Sequence, residues 1–276
     1  MFYLLVQNVA SGSAIDVNII NDSMSKYELL SIILSVIAIL IPFFQGLYKR
    51  FIQKVKFNYY PNKKASLFFN RSGSYVRIDG SFEALVKPVV IQDIKLTVVR
   101  RNDNQKLNLV WSSFISPMTQ SIPGLATAQI NEAAHPVRIT ENTIICLFTE
   151  FADINNTPYN IFINSISSLV EQAKTLRQNH PQYESALKVF QESEEYAKTK
   201  SLMANFYFWQ EGDYDLQLFV NCIQFTKIYK FKFNINEEEA KKEKRNIDET
   251  LISILKEFYM LKYDFHTINT EIKAEI

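Results

Sequence analysis

The sequence predicts a mainly β protein: an antiparallel β-sandwich with an inserted helical hairpin and a closing C-terminal helix, preceded by one transmembrane helix. Three observations carry this expectation. The run Leu29 to Tyr48 contains no charged residue, and at ~1.5 Å rise per residue it spans ~30 Å of hydrocarbon. Beyond it, apolar residues recur at every second position in short runs separated by turn residues, the period of strands with one buried face. Two later stretches switch to helical spacing. Composition agrees, because a chain of 276 residues that is 47% hydrophobic and 13% aromatic, with only 6 Gly and 8 Pro, favours packed strands over low complexity.

Residues 1–28 form a short N-terminal tail and 29–48 the membrane helix. A cleaved signal peptide fits less well: no basic region opens the chain and no small-residue cleavage motif follows the apolar run, where Tyr48, Lys49 and Arg50 stand instead. A helix this long and apolar on every face also differs from an ordinary core helix. The basic residues Lys49, Arg50, Lys54, Lys56, Lys63, Lys64 and Arg71 follow the helix, whereas its N-terminal flank has Lys26 against Asp16, Asp22 and Glu28. The positive-inside rule then places the N-terminus outside and the C-terminal domain in the cytoplasm of a single-pass inner-membrane protein. Lys49, Arg50, Lys54 and Lys56 would meet anionic lipid headgroups. Pro42 and Gly46 are tolerated in such a helix and permit a kink or a close helix contact.

Residues 49–64 combine the basic flank with a first strand, in which Val55, Phe57 and Tyr59 alternate with Lys56 and Asn58. A run from Ser66 to Asn70 and a turn at Arg71 to Ser74 lead to a long strand whose apolar face carries Val76, Ile78, Phe82, Ala84 and Val86. Gly80 on that face suggests a bend or bulge. Pro88 ends the strand, and Ile94, Leu96 and Val98 precede an Asn102-Asp103-Asn104 turn and a return strand from Lys106 to Trp111. Further strands are expected at Val137 to Ile139, Thr143 to Phe151, Tyr214 to Val220 and Tyr229 to Ile235. Seven to nine short strands of this kind suit a sandwich of immunoglobulin-like or arrestin-like outline over residues 65–265, an analogy of shape that carries no function.

The helical insertion covers 158–205, with one stripe of Ile163, Ile166, Leu169, Val170, Ala173 and Leu176 and a second beyond Pro181. The closing helix covers 237–262, with Asn236 and Glu239 as a capping box and Ala240, Ile247, Leu251, Ile254, Leu255, Phe258 and Leu261 on one side. Residues 266–276 read as a loose tail.

Chemistry is sparse. The histidines are His135, His180 and His266, and none joins a converging set of acids, bases or nucleophiles by spacing. His180 and Glu184 stand four apart, but Pro181 is better placed to start a helix that leaves His180 outside. There is no GxGxxG or GxxxxGK[ST] loop and no GxSxG elbow. Cys146 and Cys222 lie far apart in strand-like runs; outside the cytoplasm they could bridge two sheets, and in a reducing cytoplasm they are free thiols, the reading that the orientation favours. Acidic runs at Glu192, Glu194, Glu195 and Glu237 to Glu239 read as solvated helix surfaces and first turns. The Lys241, Lys242, Lys244 and Arg245 cluster is offset by neighbouring glutamates, and a net charge of +1 argues against a general nucleic-acid binder.

The residues therefore point to no catalytic site, cofactor or metal. The expected partners are membrane lipid and a protein partner or homo-oligomer. The candidate partner surface is the aromatic string Phe206, Tyr207, Phe208 and Trp209, since alternation would turn some of those rings outward. The first functional expectation is a non-enzymatic, membrane-tethered binding module. The second is a membrane effector or sensor, of the kind used in bacterial defence, whose domain senses a ligand or partner while its helices oligomerise and disrupt the bilayer.

Overall fold

The computed structural model describes residues 25–120, 128–153 and 157–275, so most of the predicted N-terminal tail lies outside the described residues. The chain forms two compact units, residues 1–53 and 54–276. The first contains helix α1, Lys26–Leu47, followed by a π-helical turn, Tyr48–Ile52. The helix begins one turn before the apolar run because Ser25 and Glu28 form a capping box: Ser25 Oγ accepts from the Glu28 N–H and the Glu28 carboxylate accepts from the Ser25 N–H. No residue of α1 is buried, and its best window has a mean hydropathy of 2.3. By length and composition it is a candidate membrane span. Ser35 satisfies its hydroxyl by donating to the Ser31 carbonyl one turn back.

The second unit is built on β1 (Lys56–Asn70), β2 (Gly73–Leu85), β3 (Val89–Arg100), β4 (Lys106–Gln120), β5 (Ala128–Ala133), β6 (Val137–Ile139), β7 (Thr143–Asp153), β8 (Gly212–Cys222), β9 (Thr226–Ile235), β10 (Ile268–Glu271) and β11 (Lys273–Ala274). All pairs are antiparallel and belong to one sheet, ordered β10-β1-β2-β7-β4-β3-β8-β9-β11, with β5 on β4 and β6 on β3. The expected two-sheet sandwich is thus replaced by a single sheet nearly closed into a barrel. Helices contribute almost as many residues as strands.

The tail expected to be loose does the closing. β10 pairs with β1 and β11 with β9, and between them Ile272 donates its N–H to the Lys63 carbonyl. Residues 268–274 therefore act as one strand inserted between the two edges of the sheet. Ile268, Thr270 and Ile272 are buried, and Thr270 Oγ1 donates to the Asn234 carbonyl.

β1 is one long strand rather than two runs, with an irregularity between Pro61 and Ala65. Gly80 does not make its own strand bulge; it clears space for the ring of Tyr59, since a Cβ there would lie 2.3 Å from Tyr59 Cε2. That ring is held between Phe82 (centroids 4.5 Å) and Tyr229 (5.1 Å), and Phe57 packs on Phe82 and Phe225 beside it. Aromatic side chains from β1, β2 and β9 thus meet inside the sheet at the end where β1 begins.

Helices gather at the other end. The insertion holds three helices, not two: α2 (Thr157–Asn179), α3 (Tyr183–Gln191) and α4 (Glu194–Ala204). Ser193 makes the extra break, because its hydroxyl caps α4 by accepting from the Tyr196 N–H. The closing helix is also split, into α5 (Glu237–Lys244) and α6 (Asn246–Phe258). Asn246 is buried and exchanges two hydrogen bonds with the backbone of His266. Phe162, Ile166, Leu169 and Ala173 of α2 and Ile247, Leu251, Ile254 and Leu255 of α6 join the sheet's apolar residues in one core.

Because the Tyr59 ring is boxed in, Gly80→Ala should cost about 1–3 kcal/mol, the usual range for overpacking, read as a lower urea midpoint. In a Tyr59→Ala background the same change should cost much less. Equal costs in both backgrounds would show that the ring is not what Gly80 accommodates.

Candidate binding cleft

The linker between α4 and β8 and the outer face of α5 form the two walls of a cleft of about 430 Å³, lined by Ala204, Tyr207, Trp209, Gln210, Glu211, Glu237, Ala240, Lys241 and Lys244. α5 is fixed by its capping box, in which Asn236 Oδ1 accepts from the Glu239 N–H at 2.9 Å and the Glu239 carboxylate accepts from the Asn236 N–H. Helical spacing then puts Glu237, Ala240, Lys241 and Lys244 along one face. The aromatic floor has its polar atoms engaged elsewhere: Trp209 Nε1 donates to the Phe68 carbonyl at 3.1 Å, and Tyr207 Oη donates to the Ala240 carbonyl at 3.3 Å. Both rings are buried, so they back the cleft while the accessible lining is Ala204, Gln210, Glu211, Glu237, Lys241 and Lys244. Lys241 pairs with Glu237, while Lys244 has no ion-pair partner among the described residues. Glu211 is likewise without an ion pair among the described residues, so two carboxylates and two ammonium groups line a concave site, with the unpaired Lys244 and Glu211 free to meet a group that offers charges of both signs.

These contacts correct the aromatic string as an exposed surface. Tyr207, Phe208 and Trp209 are buried, Trp209 completely, and Phe206 is half-buried against Phe162. The alternation of a strand does not apply, because residues 207–210 are irregular backbone, so consecutive rings can enter separate pockets. Tyr207 packs edge-on to Phe69, and Trp209 packs near Tyr214. Phe208 lies beneath Arg100, whose guanidinium carbon is 5.3 Å from the ring centroid. Arg100 is itself buried, donating to the Phe208 carbonyl at 2.7 Å, to both carboxylate oxygens of Asp103 and to Gln105 Oε1. That pairing holds the Asp103 carboxyl below the usual carboxylate range. Only Tyr207 and Trp209 of the predicted string contribute to the cleft.

Directly behind the α5 wall is a group that sequence pattern alone does not single out. Glu243 is 0% exposed, and neither carboxylate oxygen has a hydrogen bond of good geometry. Burial pushes its carboxyl up to about 8, only partly countered by the nearby Asn246 amide and Phe69 N–H. At neutral pH it is mostly protonated. Its negative form would also raise the neighbouring Tyr207 hydroxyl. The legible signal is position: Glu243, Ile247 and Leu251 are spaced by four on the buried side.

The other predicted residues do not converge. His135 packs at a tilt against Phe114, His180 lies between α2 and α3 with its carbonyl accepting from Tyr259 Oη, and His266 is tied to Asn246. Glu184 sits in the first turn of α3, so His180 and Glu184 share no helix. Among the described residues no group of three or more His, Cys, Asp or Glu is arranged to hold a metal. Cys146 is an exposed free thiol; Cys222 is buried, which pushes its thiol up to about 11. Lys49, Lys54 and Lys56 are exposed, and Arg50 lies in the π-helical turn. No protein-family model, curated protein or solved structure matches the chain.

Glu243 generates a pH prediction. Its folded-state value lies above the ordinary 4.5, so the folded state binds the extra proton across that window. Glu243 therefore lowers stability progressively as pH rises from about 5 to about 8, by at most ~1.4 kcal/mol per pH unit, with no further change above. Glu243→Gln should flatten that part of the melting temperature against pH curve and be the more stable form at pH 8. Parallel curves for the two proteins would rule out the carboxyl as the source.

Proposed function

We propose that this chain is a membrane-anchored binding module, non-enzymatic, that captures a protein partner through the cleft between Tyr207, Trp209, Ala240 and Lys244. The observation that carries the reading is the pairing of an apolar helix with no buried residue and a separately folded domain bearing that cleft. An anchor of this kind confines the domain to the bilayer and raises its effective concentration for partners held there. The basic flank Lys49, Arg50, Lys54 and Lys56 supports an inner-membrane topology with the N-terminus outside and the domain in the cytoplasm. The same residues attract anionic headgroups. The partner group best suited to the cleft is polar, with a carboxylate for Lys244 and a cationic or N–H donor for Glu211.

One observation favours the effector reading as second choice. Gly46 carries no side chain, so it is the position of α1 where the backbone of another helix can approach most closely. In that reading the domain senses a partner and clustered helices compromise the bilayer.

Purification of the full chain from native membranes in mild detergent tests both. The binding module predicts a stoichiometric foreign protein that is reduced at least tenfold by Lys244→Glu and by Ala240→Trp, with membrane association unchanged. Retention of that protein by both variants overturns the cleft as its site. A pure homo-oligomer, broken by Gly46→Leu, favours the effector. Orientation has its own readout, since the exposed Cys146 thiol should react with an impermeant maleimide only after the cells are permeabilised. Labelling in intact cells would invert the topology.

A further inference from the structure

The rim of the sheet where β1 begins carries apolar side chains outside the core. Three turns meet the start of β1 there: Lys56 is opposite Leu85, Thr143 opposite Ala84, Ile139 opposite Val89 and Cys222 opposite Ile91. Ile144, just past the β6–β7 turn, and Ile223, in the β8–β9 turn, are each 59% exposed. Ile223 donates its N–H to the Val90 carbonyl, and Val90 is opposite Arg138, so an isoleucine and an arginine flank the same residue of β3. The β2–β3 turn adds a strained position. Lys87 donates its N–H to the Leu85 carbonyl at 2.9 Å across Val86, whose φ is 74°, a γ-turn in the left-handed region that β-branched residues avoid. Val86 follows Phe82 and Ala84 in the alternation, yet it is only half-buried.

We propose that this rim docks on an anionic bilayer surface, with Val86, Ile144 and Ile223 entering the interface among headgroups held by Lys54, Lys56 and Arg138. Charge and chain length define the occupant. Those three cations are exposed and make no ion pair among the described residues. The acids at this end, Glu83 and Glu141, are half-buried, and the Glu83 carboxylate accepts from Tyr60 Oη and Asn58 Nδ2. Exposed apolar residues ringed by cations match a surface of anionic headgroups over hydrocarbon. Only Gln53, Lys54 and Val55 separate the π-helical turn from β1, and three extended residues reach about 11 Å. Chain length alone therefore keeps the rim beside the bilayer that α1 enters. The proposal rests on α1 as a membrane span and adds a defined lipid-facing surface to the domain. The cleft, at the helical end of the sheet, is left for a partner.

The test uses the full chain in lipid nanodiscs containing phosphatidylserine and lipids spin-labelled on their acyl chains. An environment-sensitive fluorophore is placed by Gln224→Cys, beside Ile223, in a Cys146→Ser background; the remaining thiol, Cys222, is buried. Quenching of at least twofold is expected, lost in Ile144→Glu with Ile223→Glu and weakened in Lys56→Glu with Arg138→Glu. A fluorophore placed by Glu192→Cys, at the helical end, should not be quenched. All four substituted rim residues are exposed, so an unchanged melting temperature should accompany the loss. A chain that stays with the discs through an alkaline wash but shows no quenching at Gln224→Cys, or equal quenching at both labels, overturns the docking rim and leaves the span standing. A chain washed off the discs overturns the span and the rim together.

Discussion

The constraint on which this domain depends is that a sheet cannot leave its edges unpaired at no cost. Seven strands in the order β1-β2-β7-β4-β3-β8-β9 curl until the first and last face each other, and both run in the same direction. Parallel neighbours of that kind accept a single strand between them running the opposite way, which is what residues 268–274 supply. The inserted strand satisfies backbone groups on both edges and buries Ile268, Thr270 and Ile272. A sandwich would have needed a second sheet to cover the apolar face; a curled sheet covers its own.

Closure also explains why the two ends of the sheet differ. At the end where β1 begins, Phe57, Tyr59, Phe82, Phe225 and Tyr229 pack against one another across the interior. At the other end the helices complete the core, and the connection into β8 is anchored by Arg100. A buried guanidinium is costly unless all its directions are used. Here one carboxylate, one side-chain amide and one main-chain carbonyl take them up, and the Phe208 ring lies below. This network ties the turn after β3 to the segment that floors the cleft.

Much of the domain is legible in sequence because its elements obey simple periods. The strands after Val55, the Asn102-Asp103-Asn104 turn and the α5 capping box all follow from local pattern. What is not legible has physical reasons. Alternation is identical in a sandwich and a curled sheet, since period two reports one buried face and not what covers it. Ile268, Thr270 and Ile272 give too short a pattern to separate a strand from a frayed tail, and only edges far earlier in the sequence decide the matter. The aromatic string misleads because strand alternation has no meaning on irregular backbone. Glu243 is hidden in a Glu- and Lys-rich helix whose composition suggests solvent on every side.

Glu243 also shows how structure and site are linked in this domain. A carboxyl without partners at the back of a cleft wall implies that its protonated form is the one compatible with the fold near neutral pH. Ionising it would place charge in a buried site beside Tyr207, a cost that the Asn246 amide and the Phe69 N–H offset only in part. An anionic group bound at Lys244 would disfavour a second negative charge in the same helix and so favour protonated Glu243. By linkage, the cleft should then hold an anion more tightly on the acid side of the Glu243 transition than on the basic side.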